Sequence, residues 1–296
     1  MKKSGYHIIQ LLCIIMLLML ASCRDELCYN HFPAASFAFE WEQEWERDYG
    51  MNHNGKWDAT HYGYDYHSLR PGSPSWVNLV RYGYSGSSTE KYLSKDGGHI
   101  VLEENDYKSF LIYNGDTEYI VLSDMASVTE ARASATARSR SSISYIEEIY
   151  PDTRSTNPPD ILYSAYIDSI PYVEFHETKH FPVKMQPLVY TYLVRYEFEY
   201  GLKHVALARG ALGGMDASVY LRTGTTSDNP TIILYDCDMK DYGFEAQVRS
   251  FGVPGFPDEY YGRSGEEQKD RKYTLNLELK IKNGSTLEFN YDITDQ

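Results

Sequence analysis

The chain has 296 residues, 15% of them aromatic with 28 Tyr, and a formal net charge of −14. That length suffices for one large or two medium domains with real cores, while the negative charge argues against a nucleic-acid partner. Long Ala/Leu/Glu/Lys stretches at helical spacing are scarce, so the composition is that of a β-protein.

Residues 1–23 read MKKSGYHIIQLLCIIMLLMLASC. Lys2 and Lys3 precede an apolar run from Ile8 to Leu20, about 13 residues long, short of the roughly 20 needed to cross a bilayer and suited to a secretory signal peptide. The ending Leu20-Ala21-Ser22-Cys23 resembles the bacterial lipobox, in which the signal is cut before a Cys that becomes the acylated N-terminus. The expected division is a signal peptide over 1–22 and a lipidated tether over 23–36. Losing Lys2 and Lys3 moves the net charge from −14 to −16. Attachment to the membrane would then rest on acyl chains, at about 0.8 kcal/mol per buried methylene, and not on charge. Cys13 leaves with the signal and Cys23 takes lipid. Cys28 and Cys237 remain, and their spacing alone does not decide whether they pair.

Strand patterns follow along the chain. Phe37-Ala38-Phe39-Glu40-Trp41-Glu42 alternates apolar and polar. Residues 109–113 and 119–122 flank Asn114-Gly115-Asp116, which predicts a hairpin. Residues 126–144, rich in Ala, Ser and Arg, predict a mobile loop with some helical character, and the prolines of 150–159 exclude strand interior and stable helix alike. A domain boundary is expected near residue 155, giving β-sandwich domains over 37–155 and 156–296. In LVYTYLVRYEFEYG, Tyr190, Tyr192, Val194, Tyr196, Phe198 and Tyr200 share one face, a period of two that a helix does not produce. Residues 217–222 and 230–235 read as further strands. The long amphipathic pattern 272–281, the turn Lys282-Asn283-Gly284-Ser285 and the pattern 286–293 form a hairpin whose last strand can complete its own sheet or pair with another chain.

Residues 176–180, HETKH, match His-Glu-x-x-His, which on a helix places two zinc ligands on one face with a general base beside them. Pro171 and Pro182 bracket the match, and the second forbids a continuing helix. Val173, Phe175, Phe181, Val183 and Met185 share one parity, as in extended chain. There the two histidines stand about 13 Å apart, too far to chelate one ion. His53, His61 and His67 lie in a loop-like stretch without metal spacing. Trp41, Trp45, Trp57 and Trp76, with the tyrosines of 62–66, serve either as a sugar-stacking platform or as core and rim aromatics. Residues 209–215, RGALGGM, lack the Gly-Lys-Ser/Thr ending of a phosphate loop; their glycines suit a tight turn or positive φ between two strands.

Two stretches carry a family resemblance. Residues 20–29, LASCRDELCY, resemble the lipidated start of Bacteroidales surface lipoproteins, with acidic residues just after the Cys. Residues 208–221, ARGALGGMDASVYL, resemble the Gly-Met-containing segment in the C-terminal domain of the fimbrillin-like superfamily. That resemblance implies an all-β chain of two tandem transthyretin-like β-sandwich domains. It also implies a non-enzymatic fimbrial anchor or accessory protein, lipid-anchored and surface-exposed at the cell outer membrane, whose partners are fimbrial subunits joined by β-strand complementation. Cys23 alone carries over as a functional residue. Arg132, Arg138, Arg140 and Arg154 form no matching protease site, which favours an anchor or accessory role over a shaft subunit. The competing readings are a surface lipoprotein that binds a glycan and, more remotely, a zinc metallopeptidase. No cofactor is expected.

Overall fold

A computed structural model describes residues 32–42, 52–102, 107–139, 150–254 and 272–294. The signal peptide, Cys23, Cys28, Trp45 and Arg140 lie outside the described residues. The described chain is built almost entirely of strands arranged as β-sandwiches.

The largest sheet has the order β3-β2-β5-β9-β10-β1-β4. Its strands are β1 (Ala34–Trp41), β2 (Trp76–Gly83), β3 (Ser88–Ser94), β4 (Gly98–Val101), β5 (Tyr107–Asn114), β9 (Tyr163–Ile167) and β10 (Thr178–Pro187). Strand β10 runs parallel to β1 from Thr178 to Met185, then pairs with β9 only at Gln186 and Pro187. The two halves of the sheet thereby face each other across a core that holds Phe37, Val77, Leu79, Phe110, Ile112, Val183 and Met185.

Strands β2 and β5 are buried on both faces, so neither shows the strict apolar–polar alternation of a half-buried strand. Val77, Leu79, Phe110 and Ile112 point into the first core, whereas Val80, Tyr82, Leu111 and Tyr113, one residue out of phase, enter a second. Facing them there are β6 (Ile120–Ser123), β7 (Arg132–Ala135) and β13 (Ser218–Tyr220), which form a three-stranded sheet in the order β13-β7-β6. The side chains of β7 that reach this core are Ala133 and Ala135, small enough for the sheet to sit close.

A second sandwich uses β8 (Ser155–Thr156), β11 (Tyr190–Glu197), β12 (Val205–Asp216), β14 (Pro230–Asp236), β15 (Asp238–Lys240), β16 (Gly243–Ser250), β17 (Thr274–Ile281) and β18 (Thr286–Asp292). One layer runs β18-β17-β12-β14-β8 and the other β11-β16-β15. Between them lie Tyr196, Phe244, Leu277 and Leu279 at one end and Leu212, Ile233, Tyr235 and Val248 at the other. The tyrosine hydroxyls inside are satisfied: Tyr196 and Tyr235 share a 2.8 Å hydrogen bond, and Tyr196 donates to the Asn276 carbonyl at 3.1 Å.

Several local expectations need correction. Residues 107–114 and 120–123 form no hairpin: β5 pairs with β2 and β9, and β6 with β7. Asn114 accounts for the departure. Its side chain donates to the Ile161 carbonyl at 3.0 Å and accepts from the Tyr163 amide at 2.7 Å, tying the turn to β9. The segment expected to be a partly helical loop contains β7 instead, and Ser155-Thr156 form a short strand parallel to β14 despite the nearby prolines. Hydrogen-bonded pairing also joins strands on either side of residue 155, since β7 pairs with β13, β5 with β9 and β1 with β10. The chain passes from β10 to β11 through Leu188 and Val189, both buried.

Candidate functional site

Among the described residues, strand β18 is a sheet edge along which three large hydrophobic side chains, Leu287, Phe289 and Tyr291, lie exposed. Its hairpin is set by the turn predicted from sequence: Ile281 donates its amide to the Ser285 carbonyl at 2.8 Å, and Gly284 takes φ +93°, a conformation that favours glycine. The Asn283 side chain accepts from the Ser285 amide at 2.9 Å and from its hydroxyl at 2.7 Å. Antiparallel register then sets Leu275 beside Tyr291, Leu277 beside Phe289 and Leu279 beside Leu287.

Partners in this register share a face of the sheet, yet their burial differs. Leu277 is 3% exposed and Phe289 41%, and Leu279 is 2% against 48% for Leu287. The cause is the width of the opposing layer. Its outermost strand, β11, lies over β17, as the hydrogen bond from Tyr196 to the Asn276 carbonyl requires. Among the described residues no strand stands opposite β18, and none pairs with its outer side. Seven residues of strand, about 24 Å long, thus present unpaired amides and carbonyls beside Leu287, Phe289 and Tyr291. An extended segment from another molecule can satisfy both needs at once, the backbone by ladder hydrogen bonds and the rings by alternate side chains.

A second cluster, unforeseen from sequence, fastens residues 52–70 to the outer face of β11 and β16. Two four-residue helical turns, His53–Lys56 and Ala59–Tyr62, shape this segment, and Asp58 caps the second by accepting from Thr60 and His61 amides at 3.0 Å. Arg195 lies between the rings of Trp57 and Tyr62, its guanidinium carbon 4.2 and 3.3 Å from their centroids. The same Arg195 pairs with Glu245 at 3.0 Å. Glu245 also accepts from the hydroxyls of Tyr242, at 2.5 Å, and of Tyr64. Burial disfavours its carboxylate, but the two tyrosines and Arg195 outweigh that and hold its pKa below the ordinary range. Burial, reinforced by the Glu245 carboxylate, pushes the Tyr64 hydroxyl up to about 12. His61, expected in a solvated loop, stacks on Tyr242 with centroids 5.6 Å apart and stands 3.5 Å from Glu197.

The tryptophans do not form one platform. Trp41 meets Tyr163 edge-on at 4.9 Å and donates to the Lys95 carbonyl. Trp76 meets Tyr92 at 5.3 Å with planes 69° apart. The tyrosines around Trp57 are tilted 45–58° to it. A flat shelf for sugar rings is absent from these three positions.

Residues 176–180 are not helical. Glu174 to Glu177 form a turn in which His176 takes φ +70°, and Thr178 opens β10, where His180 is in register with Ser36. The helix that would converge both imidazoles on one ion is not formed. The shared parity read from sequence breaks at this turn: Val173, Val183 and Met185 are buried, whereas Phe175 is exposed. The glycines of 209–215 lie inside β12 and not between two strands. Gly210 leaves room for the Tyr235 ring, and Gly214, at φ +91°, marks a bulge between Gly213 and Met215. Cys237 is a free, half-buried thiol whose pKa burial raises to about 12.

Residues 61–236 match the model of a family described as a domain of unknown function, DUF5119. Among solved structures, a candidate adhesin from Bacteroides ovatus superposes with a TM-score of 0.58 at 19% identity, covering 93% of this chain and 87% of its own. A second candidate adhesin from Bacteroides ovatus gives a TM-score of 0.48 at 11% identity, covering 92% and 80%. The fimbrial anchor protein Mfa2 from Porphyromonas gingivalis gives 0.49 at 9% identity, covering 88% and 82%. The first of these shares its fold with nearly the whole of this chain. No curated protein matches the sequence.

Proposed function

This chain belongs to the DUF5119 family, and we propose that it acts as a non-catalytic fimbrial anchor or accessory protein at the cell surface. In this reading Cys23 is acylated and holds the protein to the outer membrane, and β18 pairs with a strand of a fimbrial subunit. The observation that carries it is the exposure of Leu287, Phe289 and Tyr291 on an edge strand whose register partners are covered. Monomeric β-proteins protect such edges with charge, proline, bulges or covering loops. Among the described residues strand β18 carries no proline, bulge or covering loop; its charges, Glu288 and Asp292, alternate with Leu287, Phe289 and Tyr291. The fold shared with a candidate adhesin supports an adhesive role, and the sequence Leu20-Ala21-Ser22-Cys23 supports the lipid.

A photo-reactive phenylalanine analogue at position 289, introduced into the full chain in its native cells, tests the pairing. The expected product is an adduct whose partner peptide comes from a strand of a β-sandwich fimbrial subunit. Adducts confined to the chain itself would overturn the proposed partner. For the lipid, Cys23→Ala is expected to release the protein from membranes, and unchanged retention would overturn the acylation.

A further inference from the structure

The end of the first sandwich where the chain enters β1 carries a cluster of exposed apolar side chains. Phe32 and Phe175 lie with ring centroids 5.9 Å apart. Phe175 is 53% exposed and Tyr172, on the same loop, 77%. Val101, also exposed, is the register partner of Ala34 in β4. These groups are held in place. Val173 is buried in the first core, the Glu177 amide closes a turn onto the Glu174 carbonyl at 3.0 Å, and the Ala34 amide donates to the Glu177 carbonyl at 3.0 Å. Parallel pairing of Ala34 with Thr178 puts the starts of β1 and β10 at this same end.

Phe32 follows Cys23 by nine residues, at most roughly 30 Å of extended chain. Resting on the lipid anchoring proposed above, we infer that this aromatic end lies against the bilayer to which Cys23 is tethered, with Phe175 and Tyr172 seated at its interface. Aromatic side chains favour that depth because a ring is apolar and a phenol hydroxyl still reaches water. The occupant is a lipid surface because the tether cannot carry this end further from the membrane than its own length. Apolar contact, and not charge, supplies the attraction, since the chain is strongly negative and Glu174 and Glu177 flank Phe175. Strand β10 starts at this end and leads through Leu188 and Val189 into β11, so contact here leaves the entry to the second sandwich at the other end of β10.

The test uses the full lipidated protein reconstituted into phosphatidylcholine vesicles, with and without brominated acyl chains. Phe175→Trp and Tyr172→Trp each add one fluorophore at an exposed position, and Tyr200→Trp, also exposed and beyond β11, is the control. The emission added at 175 and 172 is expected to shift to shorter wavelength and to be quenched by bromine, while that added at 200 is unaffected. Unquenched emission at 175 and 172 from protein that floats with the vesicles would overturn the inference with the anchor intact. Protein that fails to float, and behaves as Cys23→Ala does, would overturn the anchor and this inference together.

Discussion

Leu277 and Phe289 are register partners on neighbouring strands and point to the same side of one sheet, yet the first is sealed in the core and the second faces solvent. The difference arises from the opposite layer, which ends at β11 one strand short of β18. A sandwich whose two layers are unequal in width leaves an apolar strip on the wider one. The strip coincides with a strand edge that no other described strand pairs with, and that coincidence is what makes β18 the candidate for intermolecular pairing.

Truncation should separate the two residues. Leu277→Ala is expected to destabilise by about 2–5 kcal/mol, as buried leucines do. Phe289→Ser should cost about 1 kcal/mol or less, in the range of surface changes, while weakening subunit capture. Urea unfolding midpoints of the two variants check the first part, and co-purification with the subunit checks the second.

Arg195 is expected to hold residues 52–70 in place. Arg195→Met leaves Glu245 buried without its cation and removes the group between Trp57 and Tyr62, a loss of roughly 3 kcal/mol for a largely buried pair. Urea unfolding followed by Trp emission measures it. If the variant unfolds with the midpoint of the parent, the cluster contributes no stability.

The same cluster predicts two pH limits. Glu245 has a depressed folded pKa, so its stabilisation is present above the ordinary glutamate value of about 4.3 and is lost as pH falls through the folded value. Tyr64 has a raised folded pKa, about 12, so its contribution is complete below the ordinary value of about 10 and is lost as pH rises towards 12. Stability measured against pH should fall at both ends, and Glu245→Gln should lower the plateau and flatten the acid limb.

Glycine substitutions distinguish backbone strain from crowding. Gly86 and Gly214 both have positive φ, but an added Cβ at Gly86 meets nothing within 4 Å, whereas at Gly214 it meets the Lys272 carbonyl at 2.7 Å and the Tyr273 ring at 2.8 Å. Gly86→Ala should cost about 1 kcal/mol and Gly214→Ala roughly 2–3 kcal/mol. Thermal unfolding of the two variants gives the comparison.

Period two made β11 and the β17–β18 hairpin legible in the sequence, because alternation and a turn containing Asn-Gly are local signals. Burial on both faces, with Asn78 and Arg81 buried beside Val77, Leu79 and Val80, hid β2, and Asn114 turned the hairpin expected after β5 into a crossing towards β9. His176, at φ +70°, broke a parity that residue types alone suggested. The candidate site was half legible. Leu287, Phe289 and Tyr291 alternate just as Leu275, Leu277 and Leu279 do, and only the width of the facing layer decides which set is covered. Arg195 and Glu245 lie 50 residues apart, with Trp57 further still, and no spacing announces their meeting.

Amide hydrogen exchange over residues 286–292, compared between the isolated chain and the chain mixed with the proposed fimbrial-subunit partner, tests the strand-pairing claim most directly. The amides of β18 that face away from β17 should exchange quickly in the isolated chain and become strongly protected in the complex. Exchange that is unchanged there on binding, with protection appearing elsewhere on the molecule, would contradict the account.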